Sequence, residues 1–301
     1  MELILIFESS ILPLFIVVGM AIAYQRLVGP DIGPIITLTL TVFAPVFVFD
    51  SLFQHHITLN QLLKPAAFAV LLTGAMILLA HLLALLIGAD DDERVALILA
   101  AAMINVGNFG LPLIYFAFGP AAEACSVVNF IAFNIPLTSV AIYISSRQKQ
   151  VLKILLDVLK MPLFHAMLLA LLLSSLSIPM PEVLLKSTSL VGRAAIPLMG
   201  FILGAQLAAI NIKFSYLKII TLAVGLRLLV SPLVAGPMLS LLAVDGLERQ
   251  VALVQTSGPA ALLPLMYVIR FNRSPDLLAT VIMATTLLAG VTLTVLIRLV
   301  S

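Results

Sequence analysis

The sequence predicts an all-α polytopic membrane protein with ten transmembrane helices, built as two inverted five-helix repeats whose helices 4 and 9 are broken and cross. Three observations predict it: a composition far too apolar for a soluble domain, ten apolar stretches of spanning length, and a pair of helix-breaking motifs that recur at one fixed offset.

The chain has 301 residues, of which 62% are hydrophobic and 10% charged, with a mean hydropathy of +1.22. A soluble domain carries roughly 25% charged residues, so the class is an integral membrane protein. A net charge of +2, with no basic tract interleaved with aromatics, gives no reason to expect nucleic acid as a partner. The single cysteine, Cys125, excludes an internal disulfide and any cysteine-based metal site. No GxxxxGK[ST] motif occurs, which argues against direct ATP drive. Only Met1 and Glu2 precede the first apolar run, so no cleavable signal is expected. No cofactor and no catalytic group is expected. An intramembrane hydrolase would need a paired Asp dyad or a Ser–His arrangement, and no motif joins Asp50, Glu8, His81 and Ser257.

A span needs about 20 apolar residues. Ten stretches qualify: 3–24, 32–53, 65–88, 95–118, 121–144, 161–178, 188–209, 217–243, 250–270 and 277–299. The longest polar connection is SSRQKQVLK (145–153), and 154–160 reads as an interfacial segment. Lys and Arg set orientation. With the N-terminus outside, the inner loops hold ten of them (Arg26, Arg94, Arg147, Lys149, Lys153, Lys160, Lys213, Lys218, Arg270, Arg273). The outer side then holds four (Lys64, Lys186, Arg249, Arg298). Both termini are therefore expected outside, in the cell (inner) membrane.

The repeat shows in the prolines. Pro112 and Pro264 are 152 residues apart, and so are Pro45 and Pro197. LPLIY (111–115) returns as LPLMY (263–267), and P-x-x-x-F-x-x-x-x-Q occurs as Pro45, Phe49, Gln54 and again as Pro197, Phe201, Gln206. The halves, 1–148 and 149–301, then hold five spans each. An odd number sends the second half into the membrane from the opposite side, which is the inverted repeat common among secondary transporters.

The paired breaks lie in NVGNFGLP (105–112) and SGPAALLP (257–264). Pro in a helix interior costs about 3 kcal/mol or more, and freed backbone groups persist at membrane depth only inside protein or beside a wet cavity. Two such breaks related by a pseudo-twofold axis should cross near the midplane. There they offer carbonyls together with half-helix N-termini suited to an anion. The candidate substrate-binding residues are Asn105, Gly107, Asn108, Gly110, Pro112, Ser257, Gly258 and Pro259, with Gln255 and Thr256 flanking the second break as coupling or gating candidates.

NVGNFGLPL (105–113), VQTSGPAALLPLMYVIRFNRSPDLLAT (254–280) and LRLLVSP (226–232) resemble the auxin efflux carrier family of membrane transporters, which includes plant auxin exporters and bacterial malate or malonate permeases. The resemblance implies a fold related to the bile-acid sodium symporters and a homodimer. Helices 1, 2, 6 and 7 would form a scaffold, and helices 3–5 and 8–10 a transport domain that moves by an elevator mechanism. It also implies organic-anion substrates, auxin-like monocarboxylates or malate-type dicarboxylates, coupled to H+, to Na+ or to the membrane potential. A sodium-coupled symporter of bile-acid-like or short-chain acids is the alternative. By the same resemblance Asn129, in the fifth span, would sit beside the crossover. The chain departs from the plant members in its short central loop (145–160), which weighs against regulation there by kinases, and in Ile104, where they have Pro.

Four further polar positions stand out. Arg227, about ten residues into the eighth span, needs a partner at that depth; it reads as an anion contact or a gate, or else as held by a salt bridge or by carbonyls freed by a break. Glu8 is placed to carry protons or to pair with Arg193. Asp50 reads as an interfacial residue at the outer end of the second span. His81 reads as a satisfied polar group in the bundle. The adjacent His55 and His56 lack a third ligand, and the DDDE run (90–93) reads as acids in the first turn of a helix, so no metal site is assigned.

Overall fold

The computed structural model describes residues 2–146, 159–211 and 216–300. The expected interfacial segment 154–160 falls largely outside them, as do Arg147, Lys149, Lys153 and Lys213. The described chain is helical, and its only β feature is one isolated bridge. Twelve helices follow in order: α1 (Glu2–Val28), α2 (Gly33–Gln54), α3 (Leu59–Leu86), α4 (Asp91–Ala102), α5 (Val106–Phe118), α6 (Pro120–Ser145), α7 (Pro162–Ser175), α8 (Glu182–Ala208), α9 (Leu217–Leu241), α10 (Gly246–Thr256), α11 (Leu263–Arg270) and α12 (Pro275–Val300). Seven of them, α1, α2, α3, α6, α8, α9 and α12, are each long and apolar enough to cross a membrane. The chain is thus a polytopic, all-helical membrane protein.

Proline governs how several of these helices are wound. Four contain a wide, π-type turn: Phe7–Ile11, Thr39–Phe43, Val106–Gly110 and Leu226–Val230. Each is followed two residues later by a proline, Pro13, Pro45, Pro112 and Pro232 respectively. A proline ring collides with the carbonyl four residues back and offers no N–H. Widening the preceding turn relieves both problems without ending the helix.

Helices α1, α2, α7 and α8 pack chiefly on one another, and α3, α4, α6 and α9 to α12 form a second group. Small residues allow the closest approach in the first group. A Cβ on Gly204 would lie 2.3 Å from the Val18 carbonyl oxygen and 2.7 Å from Ala21 Cβ, and one on Gly192 would lie 3.0 Å from Phe47 Cα. Lipid offers no hydrophobic drive between helices, so close backbone packing of this kind has to supply the attraction.

Helix ends are fixed by local chemistry. Thr58 and Gln61 form a capping box that starts α3 at Leu59, six residues before the apolar run suggests. Asp90 and Glu93 do the same for α4, which accounts for the DDDE run. Arg273, just past α11, donates to the Ser145 carbonyl (2.8 Å), Asp91 (2.7 Å) and Asp92 (3.1 Å). It thereby ties the start of α4 and the end of α6 to the start of α12. Arg273, acting mainly through its hydrogen bond, holds the Asp91 carboxyl below its ordinary value. Arg298 reaches Glu2 at 2.6 Å, so the free ends of the first and last helices share one face.

Candidate functional site

The two short-helix pairs, α4–α5 and α10–α11, meet at their breaks. Asn105 N–H donates to the Pro259 carbonyl at 3.0 Å, and Ala261 N–H donates to the Met103 carbonyl at 2.9 Å. The result is a single antiparallel bridge between Ile104 and Ala260, and every residue from Met103 to Gly107 and from Gln255 to Ala261 is buried. The two interrupted segments thus touch at their breaks. Each break satisfies part of the other's freed backbone, as burial requires.

The first break is a sharp turn into α5. Asn105 caps it: its side-chain oxygen accepts from Phe109 N–H at 3.3 Å, and its carbonyl accepts from Gly110 N–H at 2.9 Å. Gly107 and Gly110 are there for space. A Cβ on Gly107 would lie 2.8 Å from the Phe130 ring, and one on Gly110 would lie 2.9 Å from Gln255 Cγ. At the second break Ala260 N–H donates to Thr285 Oγ1 of α12 at 3.2 Å. The Thr256 and Ser257 hydroxyls both donate back into α10, to Ala252 and Leu253 at 2.6 Å each.

Gln255 binds the two breaks together. Its Nε2 donates to the carbonyls of Val106 and Ser126, both at 3.1 Å. Among the described residues, Asn105 Nδ2, Gln255 Oε1 and Ser126 Oγ have no partner although all three are buried. An unpaired buried polar atom costs about 1–3 kcal/mol.

Arg227 is wholly buried, and its two terminal nitrogens donate within the protein while its Nε has no partner among the described residues. It donates to the Ala101 carbonyl (2.8 Å), to Ser231 Oγ (2.5 Å) and to the Thr256 carbonyl. Ala101 and Thr256 lie in the last turns of α4 and α10, where helix carbonyls are unsatisfied and carry partial negative charge. One guanidinium therefore closes both half-helices. Bonds to freed carbonyls, one of the partners that the sequence allowed, are present.

A cavity of about 480 Å³ opens between the two helix groups, with Val17 of α1, Phe47 of α2 and Arg193 of α8 on one side, and Pro112 and Tyr115 of α5 and Glu123 of α6 on the other. A smaller hollow of about 10 Å³ shares Phe47, Tyr115 and Glu123 with it and is also lined by Leu111 and Ser126. The chain of walls thus runs from the cavity to the residue whose carbonyl Gln255 holds.

The remaining candidates are placed elsewhere. Asn129 lines a separate cavity of about 50 Å³ with Gln61, Lys64, Cys125 and Glu248, whereas Phe130 of α6 lies against Gly107 of the first break and the Ser126 carbonyl accepts from Gln255 beside the second. Asp50 is buried and accepts from Thr188 of α8 at 2.9 Å, joining α2 to α8. Glu8 is exposed in the wide turn of α1, and no ion pair joins it to Arg193 among the described residues. Asn108 is half-buried, and His81 is half-buried on α3. Ser126 and Thr285 were not singled out from sequence, because lone hydroxyl residues in apolar helices carry no periodic signal.

Comparison with known proteins agrees with this architecture. A family model described as membrane transport protein matches residues 9–297. An uncharacterized transporter of Methanothermobacter thermautotrophicus is 27% identical over 274 residues, covering 87% of each chain. An uncharacterized transporter of Methanocaldococcus jannaschii is 30% identical over 218 residues, covering 69% of this chain and 70% of the relative. Taken with the contact between the broken helices, the match over nearly the whole length shows that the chain belongs to the membrane transport protein family, the auxin efflux carriers that its motifs resemble.

Proposed function

We propose that this transporter moves small organic anions across the cell membrane by alternating access, with the substrate held at the crossing of α4–α5 and α10–α11. One observation carries the reading. Three buried polar atoms without partners among the described residues, Asn105 Nδ2, Gln255 Oε1 and Ser126 Oγ, belong to residues at or beside the two breaks, and Ser126 lines a hollow of about 10 Å³ that adjoins the larger cavity. In this proposal the amide of Asn105 donates to a substrate carboxylate, and the N–H groups opening α5 add the positive end of a helix.

Each broken pair counts as one crossing, as does α7, so ten crossings arise in two inverted sets of five. The shared face of Glu2 and Arg298 fits an even number. The group of α1, α2, α7 and α8 serves as the scaffold, and the other helices move against it as an elevator. The excess of Lys and Arg in the loops opposite the termini supports an orientation with both termini outside.

Uptake of labelled malate and indole acetate into proteoliposomes tests the proposal, with pH, sodium and voltage gradients imposed in turn. Uptake that follows the pH gradient or voltage supports the auxin-carrier reading. Strict sodium dependence at fixed pH supports the symporter of bile-acid-like or short-chain acids. No gradient-driven uptake of any organic anion defeats both.

A further inference from the structure

Two charges in the 480 Å³ cavity have no role so far. Arg193 ends the first half of α8, and Glu123 lies in the first turn of the long helical stretch of α6. Arg193 is exposed and Glu123 half-buried. Neither makes an ion pair or hydrogen bond among the described residues, with each other or with any other group. Each sits at the helix end whose dipole favours its sign, which explains why the fold tolerates them. It does not explain why they share one cavity unpaired. They are the only side chains among its lining residues that are charged at neutral pH, and the rest of the wall is largely apolar, including Phe47 and Phe116, with the Tyr115 phenol.

We propose that Arg193 and Glu123 act as a charge filter for entry to the crossing, admitting organic anions that carry one carboxylate on an apolar body and holding back dianions. This deepens the transport reading and rests on it. Arg193, on the α8 wall, draws the carboxylate in. The apolar wall takes the body. Glu123, on the α6 wall, faces the body and so repels a second carboxylate. Only one cationic side chain lines the cavity, so a dianion finds one partner and one like charge.

Phenylacetate and phenylmalonate form a matched pair of probes, because they share a phenyl ring and differ by one carboxylate. Binding of labelled phenylacetate to the full chain in lipid nanodiscs, competed by each acid, reads the filter. Wild type is expected to favour phenylacetate by about tenfold. Glu123→Gln is expected to bring the ratio close to one by strengthening phenylmalonate. Arg193→Gln is expected to weaken both acids about tenfold, with Arg193→Lys retaining most of the binding because the charge remains. Equal binding of the two acids by wild type, a ratio unmoved by Glu123→Gln, or unchanged affinity in Arg193→Gln overturns the filter. Gradient-driven malate uptake by a protein that ignores phenylacetate overturns the filter and leaves the transport reading standing. Absence of uptake for every anion under every gradient overturns both.

Discussion

The two breaks do the same mechanical job with different chemistry. The first, before α5, is polar and tight, with Asn105 capping a wide turn and Gly107 and Gly110 admitting Phe130 and Gln255. The second, before α11, has no asparagine. It offers the Pro259 carbonyl to Asn105 and leans on Thr285 from a neighbouring helix. Both preceding half-helices end on the same guanidinium, and Arg227 has no counterpart one offset earlier, where position 75 is Ala. The two breaks thus differ in chemistry: the first carries a side-chain amide nitrogen without a partner among the described residues, and the second is held by Thr285 and by backbone exchange with the first.

Removing what the halves share should have the largest effect. Arg227→Leu strips the partners from the Ala101 and Thr256 carbonyls, at about 1–3 kcal/mol for each buried group. A loss of about 2–6 kcal/mol is expected, read as a large fall in the thermal unfolding midpoint in detergent. A variant as stable as wild type would show that the two half-helices do not depend on Arg227.

The glycines should separate the breaks. Gly107→Ala and Gly110→Ala push a methyl group to within 3 Å of packed side chains, an overpacking cost of about 1–3 kcal/mol. At the second break a Cβ on Gly258 would lie 3.3 Å from the Gln255 carbonyl oxygen, so Gly258→Ala is expected to cost less than about 1 kcal/mol. The same unfolding assay ranks the three variants, and Gly258→Ala as the most damaging would reverse the comparison.

The smallest effect lies at the distant ends of the two broken pairs, where Arg273 beyond α11 meets Asp91 at the start of α4. The Asp91 side chain is 55% exposed, so the pair is worth about 0–1 kcal/mol. Because its folded pKa is lowered below 3.8, that contribution is present above the unfolded pKa. It is lost as pH falls through the lowered folded value. Asp91→Asn should therefore differ slightly from wild type at neutral pH and converge with it in strong acid. Unfolding midpoints across an acid pH series check this.

Much of this was readable in the chain. Pro, Gly and Asn inside apolar runs marked both breaks, and the common offset of Pro112–Pro264 and Pro45–Pro197 anticipated that they belong together. The partners were harder to read. The sequence left Arg227 open between an anion contact or gate and a salt bridge or freed carbonyls, and its contacts include two such carbonyls. Asn129 lies one residue from Phe130, about 100° around the helix, and lines another cavity. Glu8 and Arg193 have the right signs for a pair, but the side chains do not meet. Charge and periodicity identify which residues are unusual for their depth; side-chain direction comes from packing.

The central claim is that the free amide of Asn105 holds the substrate. Gradient-driven uptake by Asn105→Ala, measured beside wild type in the same proteoliposomes after monodisperse folding is verified, tests it most directly. Loss of uptake in a folded Asn105→Ala protein is the expected result. Uptake equal to wild type would remove Asn105, and with it the crossing, from the binding site.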